Sequence, residues 1–215
     1  MKQSIKTLAL SSLFGLGLSV TANAQVAGHN VILVHGFTPD HLVNQPDAEA
    51  VKVRGESYWS DYWGQHAEAR LDWPSHKRIE GGIATALYNQ AIEISKAGTC
   101  NQGCVLVTHS TGDLVARYFL ENQDVWLDAA GLKPLNIIAS LDFAGAGGGT
   151  EVADLAMSVA NNDSWFNSAA KSAVETAFGV SVSVDNLGVM QDLQVNVARN
   201  TATAPNNIPR LRFVG

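Results

Sequence analysis

Residues 104–123 carry the arrangement that most restricts what this chain can become. The apolar run Cys104-Val-Leu-Val107 enters Thr108-His-Ser-Thr-Gly112 directly, and beyond it Leu114, Val115, Tyr118 and Phe119 recur at helical spacing on one face. This is a strand, a tight turn and an amphipathic helix over Asp113 to Gln123. Asp113 falls in the helix's first turn, where a carboxylate meets the positive end of the dipole. In a G-x-S-x-G turn the serine sits at a strained corner between strand and helix, so its hydroxyl projects from the sheet instead of packing inside. Small residues two before and two after the serine let strand and helix approach. Gly112 meets the second requirement, while Thr108 stands where glycine is usual. Ser110 is therefore the candidate nucleophile; the alternative is an ordinary strand-to-helix turn with a solvated serine.

A second segment complements the first. Asn30-Val-Ile-Leu-Val34 reads as a buried strand and ends in His35-Gly36-Phe37. A His-Gly turn after an early strand places backbone donors beside such a serine. The N–H groups of Phe37 and Thr111 are then the candidate oxyanion donors. The side chain of His35 has the plainer role of bonding its own loop.

Val31-Ile-Leu-Val-His-Gly-Phe37 and Val105-Leu-Val-Thr-His-Ser-Thr-Gly112 together resemble the α/β-hydrolases of the bacterial lipase and esterase type, a group that includes GPI inositol-deacylase-like proteins. A looser third match is the strand ending at Leu141, then Asp142-Phe-Ala-Gly-Ala-Gly-Gly-Gly149 and Thr150 to Leu155. Lipases often carry Pro-His and a glycine at that turn, where this chain has Asp142-Phe143 and three consecutive glycines. The likeness covers about residues 30 to 155. It implies an α/β fold, the α/β-hydrolase fold, with a mostly parallel sheet, helices on both faces and a possible helical lid within residues 150–200. It also implies a serine hydrolase that cleaves carboxylic esters through an acyl-enzyme, taking an ester or lipid substrate and no cofactor. The same machinery would serve an amidase, thioesterase or acyltransferase. A non-catalytic scaffold that binds a partner is the reading from a different class.

The triad of that fold runs Ser, then Asp or Glu, then His. All six histidines, at 29, 35, 41, 66, 76 and 109, precede Ser110. A serine hydroxyl needs a base within hydrogen-bond reach, and His109 is a poor substitute because neighbouring side chains diverge at such a turn. The last residues, Ile208 to Gly215, read as a strand that stops where the acid-bearing loop would begin. The expectation is a chain truncated at its C-terminus, ahead of both acid and histidine; an inactive relative is the competing view. Asp142 could approach the site, though a turn or capping role suits it better, and Asp185 and Asp192 fall in a segment that reads as peripheral.

Residues 1–24 combine Lys2 and Lys6, an apolar stretch from Leu8 to Val20, and Ala22-Asn-Ala24 as a cleavage site. This is the pattern of a secretory signal peptide, giving a mature domain over 25–215 that is secreted or periplasmic. The stretch is shorter than the ~18 residues of a membrane span, so a permanent anchor is not expected. Loss of Lys2 and Lys6 with the leader moves the net charge from −6 to −8. Such an acidic surface disfavours nucleic acid and anionic membranes as partners. Cys100 and Cys104 are the only cysteines, flanking Asn-Gln-Gly, and in an oxidising compartment they are expected to form a local disulfide, with reduced thiols as the alternative. The sequence leaves the oligomeric state open.

Elsewhere, Glu80 to Ala97 places Ile83, Leu87, Ala91 and Ile94 on one helical face and ends at Gly98, a suitable cap. Ser57 to Trp73 concentrates Tyr58, Trp59, Tyr62, Trp63 and Trp73, read as a long loop packed on the core or as the wall of an acyl or aryl pocket. Residues 150–200 contain two or three short helical patterns, one with Trp165, Phe166, Ala169, Ala173 and Ala177, another with Leu187, Met190, Leu193 and Val197. They fit a movable lid or ordinary covering helices. His66, His76 and Asp72 are the residues that a metal could use, with nothing in their spacing to fix a geometry, and no metal is expected.

Overall fold

The computed structural model describes residues 26–161, 168–179, 181 and 183–214. The signal-peptide reading of 1–24, and Trp165 and Phe166, lie outside them. Along the chain the elements are β1 (Asn30–Val34), α1 (Asp40–Asn44), α2 (Ala48–Tyr58), α3 (Asp61–His66), β2 (Ala69–Arg70), α4 (Ala84–Ala97), β3 (Cys104–His109), α5 (Gly112–Ala129), β4 (Ile137–Phe143), α6 (Glu151–Ala160), α7 (Ser168–Phe178), α8 (Val195–Thr201) and β5 (Arg210–Phe213). The strands form one sheet in the order β2-β1-β3-β4-β5, every pair parallel. The expected α/β class with a parallel sheet is therefore what the chain adopts.

The alternation of the strands divides the core in two. Ile32 and Val34 of β1 and Leu106 of β3 face the larger cluster with Leu87 and Ala91 of α4 and Leu114, Val115 and Phe119 of α5. Val31, Leu33, Val105 and Val107 face the other side, against Val26, Trp59 and Trp63. Because β1 and β3 are buried on both faces, they read as unbroken apolar runs instead of alternating ones. Across β4 and β5 the second side opens, and Leu211 and Phe213 are exposed.

Three elements differ from the sequence reading. The helix expected from Glu80 begins only at Ala84, since Glu80 (ψ 98°) and Gly81 (φ 132°) leave helical space; Gly98 caps it at φ 69° as foreseen. The stretch from Ser57 is not a long loop: Tyr58 ends α2, α3 and the short β2 follow, and Trp73 is fully buried beyond them. Asp192 is not peripheral. Its buried carboxylate accepts from the Ile79 N–H at 2.9 Å and from Arg78 Nε at 2.8 Å, tying the 188–191 turn to the start of α4. Within 150–200, Ala153, Ala156, Met157, Leu187, Met190, Leu193 and Ala198 all enter the main core.

Candidate active site

The strand order creates the site before any side chain is considered. From β1 the chain moves outward to β2, then returns past β1 to β3 and continues in the opposite direction to β4 and β5. The crevice at the C-terminal ends of β1 and β3 is thus the topological switch point, where parallel α/β sheets bind their ligands. β1 ends there in His35-Gly36-Phe37 and β3 in His109-Ser110-Thr111. The two segments singled out from sequence meet at this one place.

Ser110 has φ +53°, a left-handed conformation that costs a non-glycine residue about 1–3 kcal/mol and persists only where neighbours over-determine it. The determinants are visible. The Ser110 N–H donates to Phe143 O at 3.0 Å, and its carbonyl accepts from Ala146 N–H at 2.9 Å and Asp113 N–H at 3.1 Å. At Gly112 any Cβ would collide with the carbonyl oxygens of Val34 and His35, so the helix can start under the end of β1 only with glycine there. Thr108, at the position where glycine is usual, is buried and donates from Oγ1 to Asp142 at 2.7 Å. Among the described residues the Thr111 N–H has no hydrogen-bond partner, which leaves it available at the mouth of the turn.

Asp142 lies inside β4, not in a turn or cap. Its carboxylate accepts from Thr108, from Ser140 Oγ at 2.9 Å and from Arg210 Nε. Arg210 also donates to Asp113 at 2.5 Å, and Asp113 holds Arg117 Nε at 3.0 Å and the Gly147 N–H at 2.9 Å. Two carboxylates and two guanidiniums thus form a neutral quartet under the turn. Asp113, expected to serve the helix dipole, is buried at its centre.

The histidines occupy other posts. His35 is 1% exposed; its Nδ1 donates to Gly36 O at 2.8 Å, its Nε2 accepts from the Trp73 N–H at 3.0 Å, and its ring stacks on Trp73 at 4.8 Å. Burial holds it at about 4, so it is a neutral structural group, as the sequence suggested. His41 is also buried and lowered to about 4, mainly by desolvation, and accepts the Ser75 N–H at 3.1 Å. His109 Nδ1 is 2.5 Å from Tyr58 Oη. Among the described residues no histidine nitrogen is bonded to Ser110 Oγ, and no group of three His, Cys, Asp or Glu could hold a metal. His66 stacks on Tyr62, and Asp72 pairs with Arg70. Cys100 and Cys104 are joined as a disulfide that pins the turn to the first residue of β3.

Tyr58 is the site residue that sequence reasoning passed over. Its hydroxyl touches both turns, but the only signal was an aromatic cluster without direction.

Fold and site define a parallel α/β protein with a strained serine turn at the switch point. No protein-family model matches the sequence, and no curated protein matches it. Solved structures do resemble it. The lipase BlEst2 of Bacillus licheniformis in its mature form superposes with a TM-score of 0.45 at 15% identity, over 86% of this chain and 64% of that one. The metagenomic carboxyl esterase MGS0156 gives 0.48 at 16% identity, over 92% and 52%. EstA from Clostridium botulinum gives 0.40 at 13%, over 85% and 59%. The chain thus spans between about half and two thirds of the length of these proteins.

Proposed function

We propose that the protein is an exported serine hydrolase of the α/β-hydrolase type that cleaves carboxylic esters. The observation that carries this reading is Ser110 at φ +53°, held at the switch point by Gly112 packed beneath the end of β1. An ordinary strand-to-helix turn has no reason to hold a serine in a strained conformation at the mouth of the crevice. Ser110 Oγ attacks the ester carbonyl carbon, the carbonyl π electrons pass to oxygen, and the Phe37 and Thr111 N–H groups receive that oxyanion. Collapse expels the alcohol, which takes up a proton. Water then hydrolyses the acyl-enzyme and restores Ser110. Among the described residues no histidine nitrogen is bonded to Ser110 Oγ; the proton that Ser110 gives up is proposed to pass to a general base and from that base to the departing alcohol.

Residues 1–24 are proposed as the leader that exports the chain, and the Cys100–Cys104 bond fits an oxidising compartment. The substrate is proposed to be a small ester or a lipid, reached through the crevice. The test is labelling by a fluorophosphonate probe of the protein expressed from its full reading frame, beside Ser110→Ala. Labelling that disappears in the variant is expected. Absence of labelling in both would sink the hydrolase reading and leave a scaffold that binds without cutting.

A further inference from the structure

We propose that Tyr58 is a positioning residue whose hydroxyl ties the two turns carrying the oxyanion donors, and so sets the spacing of the Phe37 and Thr111 N–H groups. The inference rests on the serine-hydrolase reading above. The β1–β3 ladder ends at Val34 and Thr108, before either turn begins. Past that point Tyr58 Oη, at the end of α2, makes the connection. On one side it meets Gly36, where a Cβ would run into the phenol oxygen. On the other it bonds to His109 Nδ1 at 2.5 Å.

The space beside Gly36 also lies 3.0 Å from His109 O and 3.1 Å from Ser110 Cβ, so the phenol and the nucleophile stand on the same side of that glycine. The phenol proton is assigned to the bond with Nδ1 of His109, which places that ring's hydrogen on Nε2. The Tyr58 ring is held by His35 and Trp59, each at 5.5 Å between centroids. The hydroxyl therefore has a single position, and the two turns take their separation from it. Donors aimed at an oxyanion act in the transition state more than in the bound substrate, so a change in their spacing lowers kcat and leaves KM nearly unchanged.

The experiment measures hydrolysis of p-nitrophenyl acetate by the protein from its full reading frame, with fluorophosphonate labelling and thermal unfolding alongside. Tyr58→Phe keeps the ring and removes the tie. It is expected to lower kcat between about tenfold and a hundredfold with KM within about twofold, the scale on which small misplacements act. His109→Ala should match that loss, and the double variant should fall no lower than either single one. His109→Asn, whose amide oxygen can stand in for Nδ1, should restore most of the rate. If Tyr58→Phe does not fold, the His109 pair decides alone. Unchanged kcat in Tyr58→Phe, additive losses in the double variant, or no difference between His109→Asn and His109→Ala would each overturn the tie. In those cases wild-type labelling would still stand, and only its absence removes the hydrolase reading together with the tie.

Discussion

The sheet is assembled by two different means on either side of β3. Towards β1, Val31 to Val34 meet Val105 to Val107 and are buried on both faces by apolar neighbours. Towards β5, one face carries the quartet of Asp113, Arg117, Asp142 and Arg210, while the other leaves Leu211 and Phe213 exposed. Apolar burial scales with area and tolerates small changes of shape. A buried charge quartet depends on every member, because removing one strands its partner in a poorly solvated place. Ser110 sits on the seam. Its turn packs through Gly112 against the end of β1 and bonds through Phe143 and Ala146 to the β4 side, where its helix is also anchored through Asp113.

The largest effect is expected on the apolar side. Gly112→Val should cost at least about 4 kcal/mol or abolish folding, since the new Cβ meets backbone oxygens that cannot move aside. A urea midpoint near that of wild type would show that the close approach of α5 to β1 is dispensable. On the charged side, Arg210→Ala should cost about 3–5 kcal/mol by leaving Asp142 and Asp113 short of a partner. Leu211→Ala, on the exposed face of the same strand, should stay within about 0.5 kcal/mol. Equal losses from the two would erase the distinction between the faces of β5.

A titration sharpens the comparison further, because the apolar half holds neutral histidines. His35 and His41 are held at about 4 by burial, against about 6.5 in an unfolded chain. The unfolded chain accepts protons that the native state refuses, so their contribution is complete above pH 6.5 and is lost as the pH falls towards 4. For His35 alone this is about 3 kcal/mol. Asp72, pushed up to about 6 chiefly by burial, works in the opposite sense: it favours the native state in acid and loses that contribution as the pH rises through 6. Urea midpoints should therefore fall between pH 7 and pH 4.5, and more steeply in Asp72→Asn. A flat profile in that variant would mean that the histidines are solvated. A modest effect should come from reducing the Cys100–Cys104 disulfide, whose short loop limits its stabilisation to about 2 kcal/mol or less, measured as a shift in unfolding midpoint.

The same division decided what could be read in the sequence. β1, β3 and α5 were legible because apolar residues bury on both faces of a strand or on one stripe of a helix, and that leaves a local period. The serine turn and the His-Gly turn were legible because each couples a strand end to glycine. Helix α2 was not: only Val51 and Gly55 are buried along it, too few to mark a stripe. The quartet was not either, since Arg210 reaches an aspartate 97 residues away and no local pattern announces such a partner. Asp192, 114 residues from Arg78, escaped for the same reason. Tyr58 combined both difficulties, standing at the end of an inconspicuous helix with its partners 51 and 22 residues away at His109 and Gly36.

The strand order also sets a sequence of events for folding. β1 is the first strand made, yet its neighbours are Ala69 and Arg70 on one side and Cys104 to Thr108 on the other. Its β2 side can be met once residue 70 exists, but its longer edge must wait unpaired until the chain through β3 exists, and each later strand joins by a further long loop closure. Such nonlocal pairing is slow and leaves sticky edges exposed meanwhile. The nascent chain is most vulnerable to aggregation before residue 104 arrives, and the turn that will hold Ser110 cannot form until that wait is over.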